Sequence, residues 1–187
     1  MMQQLHTERL LLVPANPGLA QRYVDFFRNN AEHLRPWSPA PSPATYDLGL
    51  QEATLAASAQ RRAAGTHFEF VILQRDDIEG PILGTVTLSN IVRGVFQACY
   101  MGYQLSAPAQ GHGYMGEAAR AAVAFAFDEL HLHRVMANYM PANTRSARLL
   151  QRLGFSVEGT AREYLFLNNA WQDHVLTSLT NPRFTWQ

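Results

Sequence analysis

Apolar and polar positions along this chain alternate with two periods, and the switches between them outline its elements. Thr7 to Val13, TERLLLV, has the apolar density of a strand and is closed by Pro14. From Gly18 to Asn29 the residues Leu19, Tyr23, Phe26 and Phe27 recur at helical spacing. Arg35 to Tyr46, RPWSPAPSPATY, carries four prolines and no period, and is expected to be an ordered loop. Leu48 to Ala64 reads as a helix ending at Gly65. His67 to Gln74 and Ile82 to Ile91 read as strands around a turn holding Asp76, Asp77 and Gly80, with a third strand over Gln97 to Leu105. The run QGHGYMGEAARAAVAFAF turns alanine-rich in its second half and predicts a helix up to about Leu130. Arg134 to Met140 predicts a strand, Thr144 to Leu153 a helix stopped by Gly154, and the tail two strands near Tyr164 to Leu167 and His174 to Leu179. Antiparallel strands early and a β-turn-α-β unit late imply an α/β (α+β) fold: a mixed, mostly antiparallel central sheet flanked by helices on both faces. With no repeat and no second composition, residues 1–187 are expected to make a single domain.

Composition narrows the partners. The chain is 47% hydrophobic and 16% charged, which is globular. Fifteen basic residues balance fifteen acidic ones, so nothing draws the whole molecule to nucleic acid or to an anionic membrane. The single cysteine, Cys99, has no intramolecular partner for a disulfide and is expected in the core. No apolar run is long enough to span a bilayer, and MMQQLHTERLLLV lacks the features of a secretory signal. The expected location is the cytoplasm.

The candidate chemistry sits at Gly111, Gly113 and Gly116, a G-x-G-x-x-G between a strand and a helix. Glycines let the backbone bend, and free amides at a helix start, with the macrodipole behind them, attract an anion. A plain turn is the competing reading. A Walker-type loop is excluded, because Gly116-Glu117-Ala118 lacks Gly-Lys-Ser/Thr. A dinucleotide fold is disfavoured, because the turn lies past the middle of the chain and the next strand ends in Pro141-Ala142-Asn143 without a carboxylate.

With its flanks, this segment resembles the GNAT acetyltransferase superfamily, whose acetyl-CoA motif is Gln/Arg-x-x-Gly-x-Gly/Ala. Gln110 and Gly113 match, and Met115 stands at the last position. The chain is similar above all to the Rim-type branch, which acetylates N-terminal amines of ribosomal proteins, and within it to the alanine-directed enzymes. Thr7-Glu8-Arg9-Leu10, Gly84-Thr85-Val86, Gly102-Tyr103, Gly113-Tyr114, Glu117-Ala118, Asn143, Ser146 and Leu153-Gly154-Phe155 carry that resemblance, with Val13 where the branch often has arginine. It implies the GNAT fold, with strands splayed at the acetyl-CoA site and acetyl-CoA as co-substrate. It also implies cofactor contacts from strand residues Tyr103, Gln104 and Leu105, from the turn Gln110, Gly111, His112, Gly113, Tyr114, Met115 and Gly116, and from Asn143. The implied acceptor is a protein N-terminus, that of a ribosomal protein beginning with alanine. No direct nucleic acid, membrane or metal partner is expected, and the chain is expected to be a monomer or weak dimer.

The resemblance implies direct attack of the amine on the thioester. Something must then orient the carbonyl and something must handle protons. A backbone N–H on Tyr103-Gln104-Leu105 suits the carbonyl. Asn143 suits a pantetheine amide, and equally suits an ordinary helix N-cap. Ser146 inherits the role of thiolate acid, because Leu150 stands where many members have a tyrosine. Related enzymes often carry glutamate at the position of Tyr100, and a tyrosine is a poor base near neutral pH. Glu69, Glu158, Glu163 and Asp173 remain as carboxylate options. Trp37 and Tyr100 are candidate substrate-pocket residues. Glu117 reads as helix-dipole and cap stabilisation, and His131 and His133 as favourably placed at the end of the same helix. Asp173 and His174, neighbours in a strand, point to opposite faces. The alternatives are acetylation of a small amine and a non-catalytic acyl-CoA-binding module.

Overall fold

The computed structural model describes residues 4–186. Among the described residues one sheet of eight strands runs β1-β2-β3-β4-β5-β6-β8-β7. These are β1 (Leu5–His6), β2 (Leu10–Pro14), β3 (Phe68–Gln74), β4 (Gly84–Val92), β5 (Ala98–Leu105), β6 (Arg134–Met136), β7 (Ser156–Leu167) and β8 (Ala170–Thr180). Helices α1 (Ala20–Asn29), α2 (Ala31–Leu34), α3 (Pro43–Tyr46) and α4 (Leu48–Ala63) come between β2 and β3. Helix α5 (Tyr114–Asp128) joins β5 to β6, and α6 (Thr144–Leu153) joins β6 to β7. Every described pairing is antiparallel except β5 with β6. No described helix is long and apolar enough to cross a membrane.

Alternation along the strands divides the apolar residues between two cores. Phe70, Ile72, Val86, Leu88, Cys99 and Met101 face α5 and α6 and pack with Phe125, Leu149 and the alanines of α5. Ala118, Ala119, Ala122 and Ala126 are fully buried, and their small side chains let that helix lie close on the sheet. On the other face Val71 and Leu73 pack against Tyr23 and Phe26 of α1 and Leu55 of α4.

The boundaries differ from the pattern where an element lacks a one-sided core. The first strand is a tight hairpin, with Thr7 N–H donating to Leu10 O at 3.0 Å between β1 and β2. The proline-rich stretch is not a plain loop: a 3₁₀ turn spans Arg35–Trp37, and Pro43 starts the single turn of α3, where Ser42 N–H donates to Thr45 Oγ1. Proline's preset φ favours both starts. Strand β6 stops at Met136 rather than Met140. Strands β7 and β8 begin earlier than expected, at Ser156 and Ala170, because an edge strand open to solvent on both faces leaves no apolar alternation to read. Helix α5 ends at Asp128, so His131 and His133 lie in the connection to β6 rather than in the last helical turn.

A carboxylate sits within the second core. Glu69 of β3 accepts hydrogen bonds from Tyr23 Oη of α1 (2.8 Å) and Ser58 Oγ of α4 (3.1 Å), with His67 Nε2 3.8 Å away. Burial pushes its pKa up, but the nearby His67 ring and the hydrogen bonds from Tyr23 and Ser58 outweigh that and hold the carboxyl below its usual range. One charged group thus ties two helices to the sheet. A folded value below the unfolded one stabilises the fold at every pH above the unfolded value of about 4.3, and that contribution is lost as pH falls through the folded value. Glu69→Gln is expected to cost about 1–3 kcal/mol at pH 7. It should also flatten the acid limb of stability below about pH 4, measured by urea denaturation across pH.

Candidate active site

Strands β5 and β6 run in parallel for three residue pairs, Ala98–Arg134, Cys99–Val135 and Tyr100–Met136, and then part. Strand β5 continues along β4 as far as Leu105. The chain past Met136 stays with β8: Ala137 N–H donates to Thr177 O at 3.0 Å, and Tyr139 and Val175 exchange bonds of 3.2 and 2.8 Å. A wedge therefore opens between Tyr103–Leu105 and residues 137–140, and β5 has no strand beside it on that side. This is the splay that the sequence resemblance implied.

The glycine turn lies beyond the wide end of the wedge. Gly111 and Gly113 take φ of 82° and 79°, which a side chain rarely adopts. Gly113 caps α5 with no side-chain hydrogen bond, so the first amides of the helix are not taken by a capping side chain. Gly116 belongs to α5 itself, and an added Cβ would meet only Leu149 Cδ1 of α6 at an ordinary contact distance of 3.7 Å, so packing does not demand a glycine there. Met115 is buried in the core, and its backbone amide is what it offers to the turn.

The turn is braced from the far end of the chain. Glu117 accepts from Thr7 Oγ1 (2.5 Å), Arg9 N (2.8 Å) and Arg9 Nε (2.8 Å), and pairs with Arg9 Nη2 at 2.7 Å. Arg9 Nη1 donates to His112 O at 2.9 Å, and its guanidinium lies 4.9 Å from the Tyr114 ring centroid. Tyr114 in turn stacks on His112. Burial raises the Glu117 carboxyl, but the bonds from Thr7 and Arg9 and the Arg9 charge hold it below its usual range. Glu117 is thus more than the helix-dipole residue expected: it is the acceptor that docks Thr7-Glu8-Arg9 onto the start of α5.

Two groups of polar side chains flank the wedge from opposite faces. On the face of α5 and α6, Tyr103 Oη lies 2.6 Å from Ser146 Oγ. Burial pushes the Tyr103 phenol up to about 12, against the hydrogen bond with Ser146, so it stays protonated at neutral pH. Ser146 is buried, and its N–H donates to Asn143 Oδ1 at 3.1 Å, which makes Asn143 the N-cap of α6. On the other face, Asn138 Nδ2 donates to Tyr164 Oη at 3.1 Å, and Tyr164 donates to Tyr100 Oη at 3.4 Å.

The end of β5 is gripped by the helical segment between β2 and β3. Ala107 N–H donates to Asn30 Oδ1 (2.9 Å), and Gln104 Nε2 donates to Ser38 Oγ (3.1 Å), one residue past the half-exposed Trp37. Arg145 Nη1 of α6 donates to Gln110 Oε1 at 2.5 Å, which turns the Gln110 NH₂ toward His33 Nε2 at 2.8 Å. Leu105 O lies 3.2 Å from the same atom. Of the other carboxylates considered, Glu158 pairs with Arg134 and accepts from Ser178 Oγ at 2.9 Å, and Asp173 accepts from Glu163 N at 2.8 Å.

Residues 9–156 match the acetyltransferase (GNAT) domain family. The chain belongs to the GNAT acetyltransferases. It is 42% identical over 183 residues to the [ribosomal protein uS5]-alanine N-acetyltransferase of Escherichia coli, covering 97% of this chain and 93% of that one. The crystal structure of the ribosomal-protein-S5-alanine acetyltransferase of Vibrio fischeri superposes with a TM-score of 0.93 at 34% identity, covering 98% of this chain and all of the other. Mycobacterium smegmatis RimJ, solved in complex with CoA-disulfide, has the same fold, with a TM-score of 0.87 at 23% identity over 99% of this chain and 89% of that one. As a GNAT enzyme, this chain is an N-acetyltransferase that takes its acetyl group from acetyl-CoA. The glycine turn fits that co-substrate: its helix-start amides carry no side-chain cap and suit a pyrophosphate, beside a wedge lined by unpaired strand edge.

Of the residues singled out in the sequence, the fold brings Tyr103 to Ser146 and Ser146 to Asn143, and places Gln110 at the start of the turn; Asn138, Tyr164, His33 and Arg145 were not singled out. Each of these is a single polar residue without a motif, and only the packing of distant segments gives it a partner. Arg9→Ala is expected to weaken acetyl-CoA binding several-fold by loosening the turn, with the melting temperature falling by a few degrees. Calorimetric titration and thermal denaturation of the same preparation check both.

Proposed function

We propose that this GNAT enzyme acetylates the α-amino group at the N-terminus of a protein, a ribosomal protein beginning with alanine, in the cytoplasm. The observation that carries this reading is its 42% identity to the uS5-alanine enzyme of Escherichia coli over nearly the whole of both chains. The matched family region ends at residue 156, yet β8 forms one wall of the wedge, which supports treating residues 1–187 as a single catalytic domain.

In this reading the amides of Gly111 to Gly116 hold the pyrophosphate. A backbone N–H on the open side of Tyr103-Gln104-Leu105 orients the thioester carbonyl and helps it carry charge. The amine nitrogen forms its bond to the carbonyl carbon, the carbon–sulfur bond breaks, and the thiolate takes a proton from Ser146. Tyr103, 2.6 Å from Ser146 Oγ and protonated at neutral pH, resupplies that hydroxyl and regains its own proton from solvent, to which the nitrogen gives up its surplus proton. Asn143 holds the start of α6, and with it Ser146, in place.

Mass spectrometry of purified protein with acetyl-CoA and peptides starting with Ala, Ser or Met, beside polyamines, tests the acceptor. One acetyl on the α-amine of the alanine peptide is expected; acetylation of polyamines alone would overturn the reading. Ser146→Ala should lower kcat by roughly 10–100-fold while leaving acetyl-CoA affinity within about twofold. Gly113→Glu should abolish acetyl-CoA binding, because it places bulk and negative charge beside the pyrophosphate amides.

A further inference from the structure

The face of the wedge opposite Ser146 carries a second set of polar groups, and its hydrogen bonds have a direction. Thr177 N–H donates to Asn138 Oδ1 at 3.2 Å, which fixes the orientation of that amide. Its NH₂ must then donate to Tyr164 Oη, and the Tyr164 proton points at Tyr100 Oη. Tyr100 stands at the end of this chain of bonds with a lone pair and its own O–H uncommitted among the described residues. Its place is the apex of the wedge, since Tyr100–Met136 is the last pair before β5 and β6 separate. By strand alternation Tyr100 faces away from the Cys99, Met101 and Tyr103 side, where Ser146 sits. A thioester carbonyl lying in the wedge therefore has the Tyr103–Ser146 hydroxyl pair on one face of the sheet and Tyr100 on the other.

We propose that Tyr100, Tyr164 and Asn138 form the acceptor-amine site, and that this site takes the acceptor as a free amine, so that selectivity among acceptors follows their own basicity. The proposal rests on the N-terminal reading above and adds to it the physical basis of the choice. Tyr100 and Tyr164 offer oxygens to amine N–H groups, and their own hydrogen bonds run to each other and to the Asn138 amide rather than to a carboxylate. Burial, with Tyr100 beside it, raises the Tyr164 phenol above its usual value. The charged and titratable groups around the site do not hydrogen-bond to it. From β8, Asp173 accepts from the Glu163 backbone, and His174 packs its ring 5.4 Å from Tyr164 with Nδ1 3.0 Å from Gln172 O. From β7, Glu163 is exposed beside Tyr164, and Glu158 is paired with Arg134. Tyr139 follows Asn138. Among the described residues no carboxylate is hydrogen-bonded to Tyr100, Tyr164 or Asn138.

The reaction balances without a protein base. The free amine's lone pair forms the bond to carbon, the nitrogen then releases its surplus proton to solvent, and the departing sulfur is protonated from the Ser146 side. At pH 7.5 the free fraction of an α-amine (pKa about 7.8) exceeds that of a lysine side chain (about 10.4) roughly 270-fold, and the greater nucleophilicity of the stronger base offsets part of that. Such a site distinguishes a protein N-terminus from a lysine or polyamine without reading its shape.

The test is the pH dependence of kcat/KM at saturating acetyl-CoA. Three peptides are compared: one beginning with alanine, the same peptide beginning with the far less basic trifluoroalanine, and an N-terminally blocked peptide with one lysine. Each profile is expected to rise tenfold per pH unit and level at that acceptor's own pKa. A break at one common pH for all acceptors would show an enzyme group, such as His174, removing the proton, and would overturn the proposal while leaving the N-terminal reading intact. If no α-amine peptide is turned over even at pH 9.5, the N-terminal reading fails and this proposal with it. Tyr164→Phe and Tyr100→Phe are expected to raise KM for the alanine peptide at least threefold with acetyl-CoA affinity unchanged; unaltered acceptor KM in both would place the amine elsewhere. Tyr100→Glu supplies a charge partner and a base, and is expected to raise kcat/KM for the lysine peptide at pH 7.5 at least tenfold.

Discussion

The parting of β5 and β6 after three residue pairs is the constraint on which the rest of the site depends. Each strand is held from its outer side, β5 by β4 as far as Leu105 and residues 137–139 by Thr177 and Val175 of β8, so the gap cannot close by sliding. A sheet interior with one strand edge unpaired leaves backbone groups that something else must satisfy. In the function proposed here, acetyl-CoA does so. The side chains around the gap act as struts across it: Tyr103 reaches Ser146, and Arg145 reaches Gln110. Asn30 holds the end of β5 from the helical side.

The formal charges cancel across the chain, and locally they are matched as well. Glu117 with Arg9, Glu158 with Arg134, and Glu69 with Tyr23, Ser58 and His67 each link segments distant in sequence. These carboxylates are held below their usual range, which suits anchoring and disfavours accepting protons near neutral pH. The polar side chains that face the wedge are hydroxyls and an amide: Tyr103 with Ser146, and Tyr100 with Tyr164 and Asn138. That division explains why a search for a conspicuous carboxylate base in the sequence finds several candidates and no clear one.

Much of the architecture was legible from residue pattern, because the central strands and α5 each bury one face or one stripe. Phe70, Ile72, Val86, Leu88 and the alanines of α5 carry that signal. It failed where burial is not one-sided. The first half of β7, SVEGTARE, is largely exposed and reads as polar chain, although it pairs with β8 through two bulges. The stretch after Met136 keeps strand-like alternation because it still pairs with β8, so nothing in the sequence marks the point where β5 leaves it.

By itself, then, the sequence determined the order of elements, the glycine turn that only positive φ explains, the N-cap at Asn143, and membership of the GNAT family through motifs spread along the chain. All of these are local or near-local: a period, a turn conformation, a cap, a spacing. Tertiary structure alone decided where the strands part, that Glu117 is an anchor for Arg9, and that Tyr103 meets Ser146 while Tyr164 meets Tyr100 and Asn138. Those pairings join residues 26 to 108 positions apart. Only the folded sheet brings such residues within hydrogen-bond distance, and single polar residues carry no period that would announce it.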